Sequence, residues 1–203
     1  MASLRPLLLA AALGVALPAC QSTEPPKEIT LAEANPVMLT LFSLKTLSAF
    51  EIAVPDSNAK APLSKFIEGH GQKFVIGEYV DGPVRGNVAL DYTRMQALNA
   101  PFNNTQLLLA PFVVSNQGSG SFWYLGLFSF DIPKGTIRQL DASFLGDRIA
   151  VQNLNVGSRS LLPVSINAEL LVHGPQQSMA EPPRLLEIRR LNVTADGKLM
   201  ADQ

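Results

Sequence analysis

The sequence predicts a mainly β protein: an antiparallel sheet or β-sandwich, with room for one or two short helices, behind an N-terminal signal and a flexible tether. Three observations predict it. Apolar runs of strand length recur along the chain. Clusters of Gly, Pro, Asn and Asp separate them, and the chain holds 14 glycines and 15 prolines. The runs are rich in β-branched and aromatic residues, which suit a pleated surface. No repeat of roughly 20–50 residues stands out, which argues against a solenoid or propeller.

The elements follow in order. Arg5 and the amino terminus give a short positive region, and residues 7–17 are uncharged and mostly Leu and Ala. That run is shorter than the roughly 20 residues a membrane-spanning helix needs, and it suits the apolar centre of a secretory signal. The next residues are Leu17, Pro18, Ala19 and Cys20, the only cysteine of the chain. This string resembles the lipobox of bacterial lipoproteins. The resemblance implies that Cys20 carries lipid, palmitate included, and that the signal peptide is cut before it. Gln21 follows, rather than the Asp that resembles an inner-membrane retention signal, so the analogy sends the anchor to the outer membrane. Residues 1–19 are thus expected to be the signal peptide and 20–36, polar and broken by prolines, the lipidated tether. Residues 37–203 are expected to form one β-rich domain, a length that supports a real core.

Within that domain, residues 37–55 mix helical and strand spacing, and Thr40, Phe42 and Val54 favour strand. KFVIGEYV and NVALDYTRM flank DGPVRG, a hairpin with a connection longer than two residues. QLLLAPFVVS is another strand, where Pro111 suggests a bulge or a sheet edge. NQGSGS is a turn in which Gly118 and Gly120 permit positive φ. SFWYLGLFSF suits a central strand covered on both faces. LDASFLGDRIAVQNLNV and SLLPVSINAELLVHG follow, and RLLEIRRLNVTADGKLM closes the chain as a last strand.

QGSGSFWYLGLF, SFLGDRIAVQNL and VHGPQQSMAEPP stand in that order over the C-terminal half. Together they resemble a family of exported bacterial proteins with GGSGTFYY-like and LLGDRI-like segments followed by a Gly-Pro, Met and Pro-Pro segment. That family is uncharacterised in activity, so the resemblance implies a fold and an envelope location but no reaction. Relatives carry a DLNGDG-like loop just before the GSG segment. The corresponding stretch here keeps Asp91, with Asn99, Asn103 and Asn104 as neutral donors, too little charge for a hard dication. No metal and no cofactor beyond the covalent lipid is expected.

The structural motif residues are Gly118, Gly120, Phe122, Trp123, Tyr124, Gly146, Asp147 and Arg148. At least two of the three aromatics are expected to anchor the core, against the alternative of a stacking surface for a sugar or aromatic ligand. Phe144, Leu145 and Ile149 are expected to be buried, with Gly146 at a bend, Asp147 capping it and Arg148 in a partly exposed ion pair.

Catalysis finds little local support. His70 and His173 are the only histidines, and neither lies in an HExxH or GxSxG string. The Glu51/Asp56 and Glu68/Glu78 carboxylates could in principle serve glycoside chemistry, yet nothing singles out a pair. The net charge of −1 implies no nucleic-acid partner. The expected function is therefore a noncatalytic envelope binding or structural module. Its lipid anchor would sit in the outer membrane facing the periplasm, with an envelope protein or peptidoglycan as partner. The alternative is a periplasmic hydrolase with a dispersed active site.

Overall fold

A computed structural model describes residues 27–29, 50–69 and 72–202. The stretch expected to be a signal peptide, Cys20, His70 and most of the ambiguous stretch before Phe50 lie outside the described residues. The described chain is mainly β and antiparallel, in two sheets. The only helical element among the described residues is a single 3-10 turn, Tyr92–Arg94.

The larger sheet is built from β1 (Lys27–Ile29), β2 (Glu51–Ala53), β3 (Lys60–Gly69), β4 (Gln72–Asp81), β5 (Val84–Asp91), β6 (Gln96–Phe102), β7 (Thr105–Asn116), β8 (Ser121–Asp131) and β9 (Thr136–Asp147). Its order is β1-β3-β4-β5-β7-β8-β9, with β2 also on β3 and β6 also on β7. It curls into a nearly closed, barrel-like shape. Across the seam, Ala53 N donates to Gln139 Oε1 at 2.9 Å, which joins β2 to β9. The smaller sheet runs β10 (Ala150–Val156), β11 (Val164–Val172), β12 (Leu185–Val193), β13 (Leu199–Ala201).

Strict alternation along the central strands creates two cores. In β7, Leu108, Ala110, Phe112 and Val114 face the inside of the curled sheet, with Phe66, Val75, Val88 and Phe128. Leu107 and Leu109 point the other way, to a second core shared with Val151, Ile166, Leu170, Leu191 and Val193 of the smaller sheet. β8 repeats the pattern with Phe128 on one side and Leu125 and Leu127 on the other. A strand buried on both faces must be apolar at every position, and this is why QLLLAPFVV and WYLGLF read as unbroken apolar runs. Polar staples hold the smaller sheet in place. Gln96 Nε2 donates to Leu154 O at 2.7 Å, Leu199 N to Asp141 Oδ2 at 2.8 Å, and Arg189 Nη1 to Leu145 O at 2.6 Å.

The corner between β5 and β6 moves the chain from one core to the other. Val88 and Leu90 belong to the first, Leu98 and Ala100 to the second. Asp91 builds the corner. Its buried carboxylate caps the 3-10 turn, accepting from Thr93 N at 3.0 Å and from the Thr93 hydroxyl, and it pairs with Arg94.

Several expectations need correction. Lys27–Ile29 falls inside the stretch read as a tether, yet it pairs with Phe66–Glu68 of β3. The β4–β5 connection is only Gly82-Pro83, because Asp81 pairs directly with Val84 and Gly82 adopts φ +57; Val84–Gly86 is strand, not loop. Pro111 marks neither a bulge nor an edge. It is buried in β7 opposite Leu125, at the gap where β6 pairing stops at Leu109 and β5 pairing starts at Phe112. The C-terminal stretch is a hairpin rather than one strand: Gly197, at φ +74, reverses the chain between β12 and β13.

Candidate functional site

Among the described residues, one end of the curled sheet is open. There the end of β4, the start of β5, the end of β7, the start of β8, the end of β9 and the loop after β2 surround a cavity of about 510 Å³. Such mouths are a common place for ligand sites.

The wall begins as a ladder of rings across three adjacent strands. Phe112 of β7 lies opposite Tyr124 of β8, which lies opposite Phe144 of β9. Phe112 and Tyr124 stack with centroids 5.3 Å apart, and Phe144 meets Tyr124 edge-on at 5.3 Å. Phe112 has no exposed surface whereas Phe144 is 49% exposed. The ladder therefore climbs from the core to solvent. Phe122 and Tyr79 complete the aromatic lining. Both rings lie on glycines. A Cβ at Gly86, directly across from Tyr79, would stand 2.6 Å from that ring, and one at Gly120 would stand 2.6 Å from Phe122. At Gly86 such a Cβ would also stand 2.3 Å from the Ser115 backbone oxygen, so close approach rather than φ requires glycine there; at Gly120 the crowding atoms belong to the Phe122 ring, which would have to move.

The rim is acidic. Asp56 takes φ +58 in the turn after β2, and Ser57 Oγ donates to Asp81 Oδ2 at 2.6 Å. The phenols feel these carboxylates. Burial first, then the charge of Asp81, raises the Tyr79 pKa above its ordinary value. Burial, then Asp56, then Tyr79 raises that of Tyr124. Tyr79 is only 6% exposed, and among the described residues its hydroxyl has no hydrogen-bond partner. No Lys or Arg lines the cavity among the described residues.

The structure divides the sequence motifs between support and site. Trp123 packs against the second core, while Tyr124 packs against the first and also lines the mouth. Gly118 and Gly120 belong to the turn before β8, where Gly118 N donates to Asn116 Oδ1 at 2.9 Å. FLGDRI clamps this same turn: Ser121 N donates to Asp147 Oδ1 at 2.9 Å and Arg148 N to Ser121 O at 2.8 Å. Gly146 takes φ +148 and Arg148 φ +50, so the bend lies there. Arg148 and Asp147 pair at 2.9 Å, half-exposed. Leu145 and Ile149 are buried, but Phe144 is not. The expectation for Phe144 fails because β9 carries a bulge there, with Trp123 facing Gly146 and Tyr124 facing Phe144. The extra residue, Leu145, takes the inward position.

The other candidates are scattered. Glu51 pairs with Lys60 at 3.4 Å while Asp56 is at the cavity. Glu68 faces Lys73, five positions along β4 from Glu78, a separation of about 17 Å. His173 donates through Nε2 to Glu181 O at 2.8 Å, and its Nδ1 is buried without a partner. Asn103 and Asn104 take positive φ in the β6–β7 turn, and Asp91 is committed to its corner. Sequence reading missed Tyr79 and Asp81. The available signal was Tyr79 spaced to face a strand glycine, which becomes visible only once the hairpin register is known.

No family model, curated protein or solved structure matches the chain.

Proposed function

We propose that this chain is a lipoprotein anchored through Cys20 in the outer membrane, facing the periplasm, and that its domain is a noncatalytic module whose mouth binds a component of the envelope. The observation that carries the reading is the ring ladder ending in an open, phenol-lined and acid-rimmed cavity. Rings that only filled a core would be closed over. Phe144 instead stands half in solvent beside a cavity within the range of small-ligand sites. A pedestal of two packed cores supports the site, so its rings are held by strands, and the turn after β2 adds Asp56 to the rim.

The test is a photo-reactive residue placed at Phe144 in intact envelopes, with Ile132 as control. Ile132 is exposed in the turn at the far end of β8. Capture at position 144 but not at 132 supports the reading. Equal capture at both positions contradicts it. The anchor is tested separately: Cys20→Ser should abolish fatty-acid labelling and release the protein from the membrane fraction.

A further inference from the structure

Three observations at the mouth bear on the charge of what it takes. The first is the pairing of aromatic faces with carboxylates. Tyr79, Phe122, Tyr124 and Phe144 supply rings, while Asp56 and Asp81 supply negative charge from one stretch of the rim, where the turn after β2 is tied to the end of β4 by the Ser57–Asp81 hydrogen bond. The second is the lack of any lining Lys or Arg among the described residues, which leaves both carboxylates without a cationic partner there. Asp81 has only the Ser57 hydroxyl as hydrogen-bond donor. The third is Tyr79, whose ring is buried while its phenol oxygen, at the cavity and not itself buried, has no hydrogen-bond partner among the described residues.

On the reading that the mouth is a binding site, we propose that its ligand is a small organic cation, an ammonium carrying alkyl groups, held against the rings of Tyr79, Phe122 and Tyr124 and neutralised by Asp56 and Asp81. Each element follows from chemistry. An alkylated ammonium is weakly hydrated, so it enters an apolar aromatic cavity at low cost. Ring faces attract such a cation when its centre lies within about 6 Å of the centroid. The two carboxylates add long-range attraction that is screened by salt. Burial and the neighbouring acids keep both phenols protonated, and an oxygen lone pair of Tyr79 remains open to an N–H or polarised C–H of the ligand. An anion would meet two carboxylates and no counter-charge. A neutral ligand of the same shape would gain the burial but neither electrostatic contribution.

The experiment is calorimetric titration of the full chain in neutral detergent micelles. The probes are acetylcholine and its uncharged carbon isostere, 3,3-dimethylbutyl acetate. The predicted result is binding of acetylcholine about tenfold or more tighter than the isostere. Asp56→Asn and Asp81→Asn should each weaken acetylcholine about threefold or more while leaving the isostere unchanged. Asn tolerates the positive φ of position 56, so the rim turn is kept. Asp131→Asn, at the last residue of β8 and its far end from the mouth, should change neither. Equal binding of the two probes overturns the proposal. So does unaltered acetylcholine affinity in both rim variants, or no acetylcholine binding. If acetylcholine fails while capture at Phe144 persists, the mouth remains a binding site and only the ligand class is wrong. If both fail, the reading of the mouth fails as well.

Discussion

Asp91 has no exposed surface, and its partners are Thr93 and Arg94. Removing a buried carboxylate leaves its donors unpaired and a partly buried guanidinium uncompensated. Asp91→Ala should therefore cost about 3 kcal/mol in urea unfolding, whereas a dispensable ligand residue would cost almost nothing. The sequence offered this aspartate as a remnant of a cation loop; the fold uses it to turn a corner. The tyrosines make a second residue-scale prediction. The chain has 3 of them, and Tyr79, Tyr92 and Tyr124 all have raised pKa values, with burial as the leading cause. A raised folded pKa means the native state holds its proton more tightly than the unfolded chain. Their contribution is then fully present below the unfolded value, near pH 10, and is lost as pH rises through the folded values. Near-ultraviolet titration should show no phenolate step at the free-tyrosine midpoint, and stability should fall above it. A normal step at about pH 10 in the folded protein would contradict this.

At the scale of elements, β8 and β9 separate what packs from what pairs. Trp123 lies in the second core, so Trp123→Ala should destabilise by about 3 kcal/mol, the lower end for large aromatic truncations. Arg148 makes a half-exposed pair beside the bend, so Arg148→Ala should cost about 0–1 kcal/mol. Thermal unfolding of the two variants checks the contrast; a reversed order would mean that the bend, not the strand, carries the stability. Much at this scale was legible. The unbroken apolar run of SFWYLGLFSF announced a strand covered on both faces, and β8 is one. Turn residues marked most strand ends correctly. Pro111 misled because proline normally marks an edge; here it falls where one neighbouring strand hands over to the next. Phe144 misled because a single-residue bulge inverts the side on which a ring emerges, and a bulge leaves no mark in the local pattern.

In the whole molecule, the open end of the curled sheet is a consequence of how the two cores are shared. The smaller sheet covers the outer face of β6–β9, and β2 with Gln139 nearly closes the seam. Among the described residues, Phe144, Tyr124 and Phe122 line the cavity at the open end. None of this could be read from the chain alone, because the mouth joins residues from six separate segments whose register sets which rings meet. Gly86 and Gly120 were visible as glycines, but not as beds for Tyr79 and Phe122. On the proposed reading, these mouth rings recognise a ligand in addition to packing. That reading is tested most directly by capture at position 144 in intact envelopes carrying Phe122→Ala. Phe122 is partly exposed over Gly120 and outside both cores. The expected result is a protein that stays folded and whose capture at position 144 is lost. Capture at the level of the parent protein would contradict it.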